Sequence, residues 1–129
     1  MLDREGLWSV ARNDSEDGRA LLAASREAGV PVLLPAAVLA ETLFGDGRDA
    51  RANQALKKLQ VVSITEPIAR AAAELKRSAG MGGVGATIDA IVVAVSAAAG
   101  GGVIRTSDVD DIRKLAIGFL DVRIRPVRV

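Results

Sequence analysis

Four acidic residues of this 129-residue chain stand in apolar surroundings, and they are its best candidates for chemistry. Asp3 follows a short apolar stub, Met1-Leu2. Glu41 lies within Ala36 to Phe44, a stretch otherwise apolar apart from Thr42. Asp89 sits at the start of an almost wholly apolar segment. Asp108 follows Gly102-Val103-Ile104-Arg105-Thr106-Ser107, with Asp110 and Asp111 close behind. A carboxylate in an apolar segment is costly to bury unless a cation or hydrogen bonds compensate. Several converging in one domain would make a site for a hard metal ion. Each acid also has a plainer reading. Asp3 could be an exposed acid or a helix cap, and Glu41 could mark the solvent side of a helix. Asp89 could complement a helix dipole, and Asp108, Asp110 and Asp111 could be helix N-terminal acids.

Composition narrows the chemistry. The chain has no histidine and no cysteine. That excludes a Ser-His-Asp triad, a Cys-His pair, the usual zinc sites and disulfides. Any metal must be held by oxygen, which favours Mg²⁺ or Mn²⁺. A formal net charge of +1 gives no global argument for nucleic-acid binding, so any such case rests on local patches. Arg48, Arg51, Lys57 and Lys58 form one such patch just after Glu41, read either as a solvated face or as a contact to a phosphate backbone. With only Trp8, Phe44 and Phe119 aromatic, extensive base stacking is not expected. The longest apolar stretch, Ala90 to Ala99, is interrupted by Ser96 and too short for a membrane span. Acids at the N-terminus and the lack of an apolar run there predict no secretory signal, and a cytoplasmic location is expected.

The elements that must position these acids alternate between helix and strand. Helices are predicted over Ser15–Ala28, Pro35–Phe44, Asp49–Leu59, Thr65–Ser78, Thr87–Ala99 and Asp108–Ile117. Strands are predicted over Val30–Leu34, Val61–Ile64, Val103–Arg105 and Val122–Val127. The strands are short, apolar and β-branched, as buried parallel strands are, which predicts an α/β domain with a parallel sheet covered on both faces. In such sheets ligands bind beyond the carboxyl ends of the strands, where Asp3 and Asp108 fall. Only Met1 and Leu2 precede Asp3, so the first strand is expected to be incomplete as written. Arg123, Arg125, Arg128 and Pro126 in the last strand suit a protected sheet edge. The loop Gly80-Met81-Gly82-Gly83-Val84-Gly85 matches G-x-G-x-x-G in form. It follows a helix rather than a strand and lacks a phosphate-loop lysine, which counts against a dinucleotide or phosphate-loop reading.

Taken in order, Leu2-Asp3, then Leu34-Pro35-Ala36-Ala37-Val38-Leu39-Ala40-Glu41, then Asp89-Ala90, then Thr106-Ser107-Asp108-Val109-Asp110-Asp111-Ile112 resemble the PIN-domain family, most closely the VapC-type toxins of bacterial toxin–antitoxin pairs. The likeness spans essentially the whole chain, 1–129, as one PIN-like domain. It implies a three-layer α/β/α sandwich around a short parallel sheet and a magnesium-dependent endoribonuclease. The family's four acids fall on Asp3, Glu41, Asp89 and Asp108, with Asp111 as a helper. Arg4 and Glu5 depart from the small residue and hydroxyl that members often carry just after the first aspartate.

On this reading Asp3, Asp89, Asp108 and Asp111 ligate Mg²⁺ or Mn²⁺, and Glu41 acts through a water. Thr106 and Ser107 bond a ligand carboxylate or the phosphate, while Arg48, Arg51, Lys57 and Lys58 hold the RNA. The resemblance further implies a cognate antitoxin and a homodimer, for which Ala36–Phe44 and Leu115–Leu120 could each spare an apolar face. The alternative is a degenerate, non-catalytic PIN-like module that binds RNA or protein.

Overall fold

The structure is a computed structural model that describes residues 1–12, 16–119 and 121–129. The predicted start of the second helix at Ser15, and Leu120, lie outside the described residues. Helix α1 spans Arg4–Ala11 and α2 Glu16–Ala28. Strand β1 (Leu33–Pro35) runs straight into α3 (Ala36–Thr42), and a 3₁₀ turn at Gly47–Asp49 leads into α4 (Ala50–Leu56). Strand β2 is Gln60–Val62, α5 Glu66–Ser78, α6 Thr87–Ala98, β3 Gly102–Thr106, α7 Val109–Ala116 and β4 Ile124–Arg128.

Two parallel pairs form the sheet, β1 with β2 and β3 with β4. The N-terminal residues join them. Leu2 N–H donates to Leu33 O (2.9 Å), Arg105 N–H to Met1 O (3.0 Å) and Asp3 N–H to Arg105 O (3.3 Å). The order is therefore β2, β1, Met1–Asp3, β3, β4, with Leu2 in a single parallel bridge to Arg105. The central position is thus filled by the short segment that the sequence predicts. Leu2 is fully buried there with Leu34 and Ile104 on its neighbours.

Helices pack on this sheet to give an α/β sandwich. Helix α6 buries an unbroken run, Val92 to Ser96, and packs on α5, α7, β1 and β4. Such an all-round apolar helix belongs inside a domain. Helix α1 crosses β3 so closely that a Cβ on Gly6 would sit 2.7 Å from Arg105 O. Only glycine lets the helix reach the sheet at that point.

Four of the differences from expectation have a clear local reason. Helix α1 has no counterpart among the predicted elements. Its cap, Asp3, accepts from Gly6 N–H, and Leu7, Val10 and Ala11 form its buried face at helical spacing. Strand β1 starts three residues late, because Val30 N–H is spent on Ser25 O at the end of α2 and Pro31 has no amide to give. Helix α3 stops at Thr42 rather than Phe44, because the buried Asp49 carboxylate takes the amides of Phe44 (2.9 Å) and Gly45 (2.7 Å). Helix α4 stops at Leu56, with Lys58 and Leu59 bonding three residues back in a tightening turn. Among the described residues, no helix is long and apolar enough to cross a membrane.

Candidate active site

The acids converge where the strands end. Asp3 is placed by a bridge on one side and a helix start on the other, and it is buried. Its Oδ1 accepts Gly6 N–H at 2.8 Å, and the Thr106 hydroxyl donates to the same carboxylate. Thr106, the last residue of β3, is fully buried and also accepts Asp108 N–H at 2.9 Å. One hydroxyl therefore ties Asp3 to the backbone of Asp108. Asp108 stands at the N-cap of α7, but its carboxylate makes no cap bond and stays exposed. Asp89 stands in the first turn of α6 and Glu41 in the last turn of α3.

Asp3, Glu41, Asp89 and Asp108 line a single cavity of about 190 Å³ together with Arg4, Glu5, Gly85, Ile88 and Ser107. The Asp89 carboxyl is pushed up to about 7, first by burial, then by the negative charges of Asp108, Asp3, Glu41 and Asp111. Burial also pushes Asp3 up, against the Thr106 and Gly6 hydrogen bonds that favour its charged form. Glu41 is raised by burial as well, opposed by the Arg4 guanidinium and reinforced by Asp3, Asp108 and Glu5. Carboxylates that raise one another in this way share one electrostatic site.

The expected site residues separate into those the fold collects and those it does not. Asp3, Glu41, Asp89, Asp108 and Ser107 line the cavity. Asp111 does not; it acts on Asp89 from outside, and its side chain lies 3.9 Å from Lys114. Thr106 has no exposed surface, so its place is on the carboxylate and not on an RNA phosphate. Arg48, Arg51, Lys57 and Lys58 are absent from the cavity wall. Arg48 pairs with Asp46 at 2.8 Å and lies 4.0 Å over the Phe44 ring. Arg51 and Lys58 line a roomier groove of about 530 Å³ beside Val10 and Ala11. That groove begins at the far end of α1 from Asp3, roughly 10 Å along the helix at 1.5 Å per residue.

Arg4 and Glu5 are the charged cavity residues to which the functional reading gave no role. The available signal was their position, since a helix capped by Asp3 sends its next two residues past the cap.

The donors are all carboxylate oxygens, the set a hard divalent cation takes. Their mutual repulsion is the electrostatic condition such an ion relieves. Among the described residues, no three acids stand close enough as placed to hold an ion, so an ion would have to draw them together. The residues fit a Mg²⁺ or Mn²⁺ site in chemistry and location.

The PIN domain family model matches residues 2–118, and the chain belongs to the PIN domain family. No curated protein matches it. Among solved structures, it is similar to a chain in the structure of FitAB bound to an IR36 DNA fragment. The TM-score is 0.66 and the identity 18%, over 98% of this chain and 92% of that one. That likeness supports the α/β sandwich described above.

Proposed function

We propose that this chain, as a single PIN domain over 1–129, is a VapC-like, Mg²⁺- or Mn²⁺-dependent endoribonuclease. The observation that carries the reading is the meeting of Asp3, Glu41, Asp89 and Asp108, from four separate segments, around one small cavity. Asp3, Asp89 and Asp108 would hold the ion, with Asp111 adding charge from behind Asp89. When bound, such an ion lowers the pKa of a coordinated water and stabilises charge on a phosphate.

The chain's own residues account for the rest. Thr106 fixes the Asp3 carboxylate and the backbone of Asp108, so two of the acids keep one relative position. Glu41, with its proton affinity raised, is suited to take a proton from the attacking water. Ser107 offers a hydroxyl at the cavity wall for a phosphate oxygen. A cavity of about 190 Å³ is below the roughly 300–1,000 Å³ of ligand pockets. It would admit a phosphate and its ion while the nucleosides stay outside.

The partners that go with this reading are an RNA substrate, a cognate antitoxin and a second copy of the chain, in the cytoplasm. An arginine of the antitoxin would pair bidentately with the cavity carboxylates. The second reading, a non-cleaving PIN-like module, is favoured by Arg4, a cation already standing among the acids. Incubation with total cellular RNA, with and without Mn²⁺, separates the two. The enzyme reading expects Mn²⁺-dependent cleavage that Asp89→Asn abolishes. Intact RNA under both conditions leaves the inert module.

A further inference from the structure

We infer that Arg4, on the wall of the acid cavity, and Arg128, tied to its rim through Ser107, grip the RNA backbone as positioning residues for its phosphates. The inference rests on the endoribonuclease reading. Its starting point is an imbalance of charge: the cavity wall carries the carboxylates of Asp3, Glu5, Glu41, Asp89 and Asp108 against the single guanidinium of Arg4. A polyanion approaching such a wall needs positive charge beyond what a bound ion supplies. The basic patch at Arg48, Arg51, Lys57 and Lys58 is absent from this wall, so the charge has to come from elsewhere.

Arg4 supplies one part. Its side chain is 52% exposed, and its only ion pair among the described residues is a long 3.9 Å approach to the neighbouring Glu5. Its charge reaches Glu41 across the cavity lining they share, where it opposes the effect of burial on that acid. Arg128 supplies the other part. The strand register sets it beside Thr106, and its Nη1 donates to Ser107 O at 2.9 Å. Ser107 is itself a wall residue, so the Arg128 guanidinium is anchored at the rim. The anchor is a neutral carbonyl, and no carboxylate pairs with Arg128 among the described residues. Its charge and its remaining donors are left for an anion, and a planar guanidinium matches a phosphate bidentately. The neighbouring cation on the same strand, Arg125, pairs in register with Val103, three residues back from Arg128 and the cavity end, or about 10 Å.

The test is the salt dependence of binding for a fluorescein-labelled single-stranded RNA dodecamer, read by anisotropy with Mg²⁺ in an Asp89→Asn background. Arg4→Ala and Arg128→Ala should each weaken binding and lower the log–log salt slope by about 0.7. Arg128→Gln keeps a polar side chain with N–H donors and removes the charge, so it should lose the same slope. Arg125→Ala and the pair Arg51→Ala with Lys58→Ala should keep the parent slope. Mn²⁺ affinity, measured by calorimetry without the Asp89 change, should not fall in Arg4→Ala or Arg128→Gln. The inference is overturned if the Arg4 and Arg128 variants keep the parent slope, or if they lose Mn²⁺ affinity, which would make them supports of the acids. A wild-type chain that cleaves RNA while these variants keep the slope removes this inference alone. A parent that binds no RNA removes the endoribonuclease reading along with it.

Discussion

The Thr106 hydroxyl accepts the amide hydrogen of Asp108 at 2.9 Å while donating to the carboxylate of Asp3. A strand end is thereby locked to a helix start and to the central segment of the sheet through one buried side chain. Where the held carboxylate is a metal ligand, as proposed for Asp3, the group that orients it tunes metal affinity. Thr106→Val keeps the shape and removes the hydroxyl. It should lower Mn²⁺ affinity by about 10- to 100-fold, and Thr106→Ser should restore it. Calorimetric titration with Mn²⁺ measures this. Equal affinities for the valine and serine variants would detach the hydroxyl from the site.

Gly6 bears on the same geometry from the other side. A Cβ there would press on Arg105 O at 2.7 Å and on the Leu2 side chain at 3.2 Å, and both lie in the centre of the sheet. Gly6→Ala should therefore destabilise the fold by about 1–3 kcal/mol, the usual cost of forcing atoms into a packed interior. It should also weaken Mn²⁺ binding, because moving α1 moves Asp3. Urea unfolding gives the first quantity. A variant as stable as wild type would mean that α1 can shift freely over β3.

Asp49 closes the loop that follows Glu41. Its carboxylate accepts from Phe44 N–H and Gly45 N–H, and the residue is buried. Asp49→Ala leaves both amides without that acceptor and should cost about 1–3 kcal/mol. Hydrogen exchange of the Phe44 and Gly45 amides should quicken by more than that of β3. Uniform quickening across the chain would indicate global destabilisation without a specific role for this clamp.

The sequence carried the acids because burial makes an isolated carboxylate conspicuous against alanine, valine and isoleucine. Asp89 stood out for that reason and lies in the cavity. The order of elements was equally visible, since Gly29 and Gly100 end helices with positive φ and Thr65 caps α5 through the Ile68 amide. Helix α1 escaped because Arg4-Glu5-Gly6 breaks the apolar pattern and its glycine argues against a helix until Arg105 O is seen above it. The separation of the basic patch from the acids has a different cause. Arg51 and Lys58 follow Glu41 closely in sequence. The turn that Asp49 fixes carries α4 to the other end of α1, and only tertiary contacts disclose that. Arg128 lies far from every acid except through the β3–β4 register, which no local pattern encodes.

The last prediction concerns the cost of gathering the acids. Asp89 titrates near 7 in the folded chain against an ordinary value of 3.8. Between those values the folded chain binds more protons than the unfolded one, so stability falls as pH rises through that window and stays reduced above it. Asp89→Asn removes the penalty. The two chains should be equally stable near pH 4, and the variant should be more stable above about pH 7 in the presence of EDTA. Because Asp89 is partly exposed, solvent screening reduces the difference to about 1–2 kcal/mol. Mn²⁺ should then raise the melting temperature of the wild-type chain more than that of the variant, since an ion that binds only the folded state stabilises it by mass action. Melting curves from about pH 4 to 8, with EDTA and with Mn²⁺, give both comparisons. Parallel curves for the two chains at every pH would show that Asp89 bears no excess charge cost, and the account of a shared acidic site would lose its electrostatic basis.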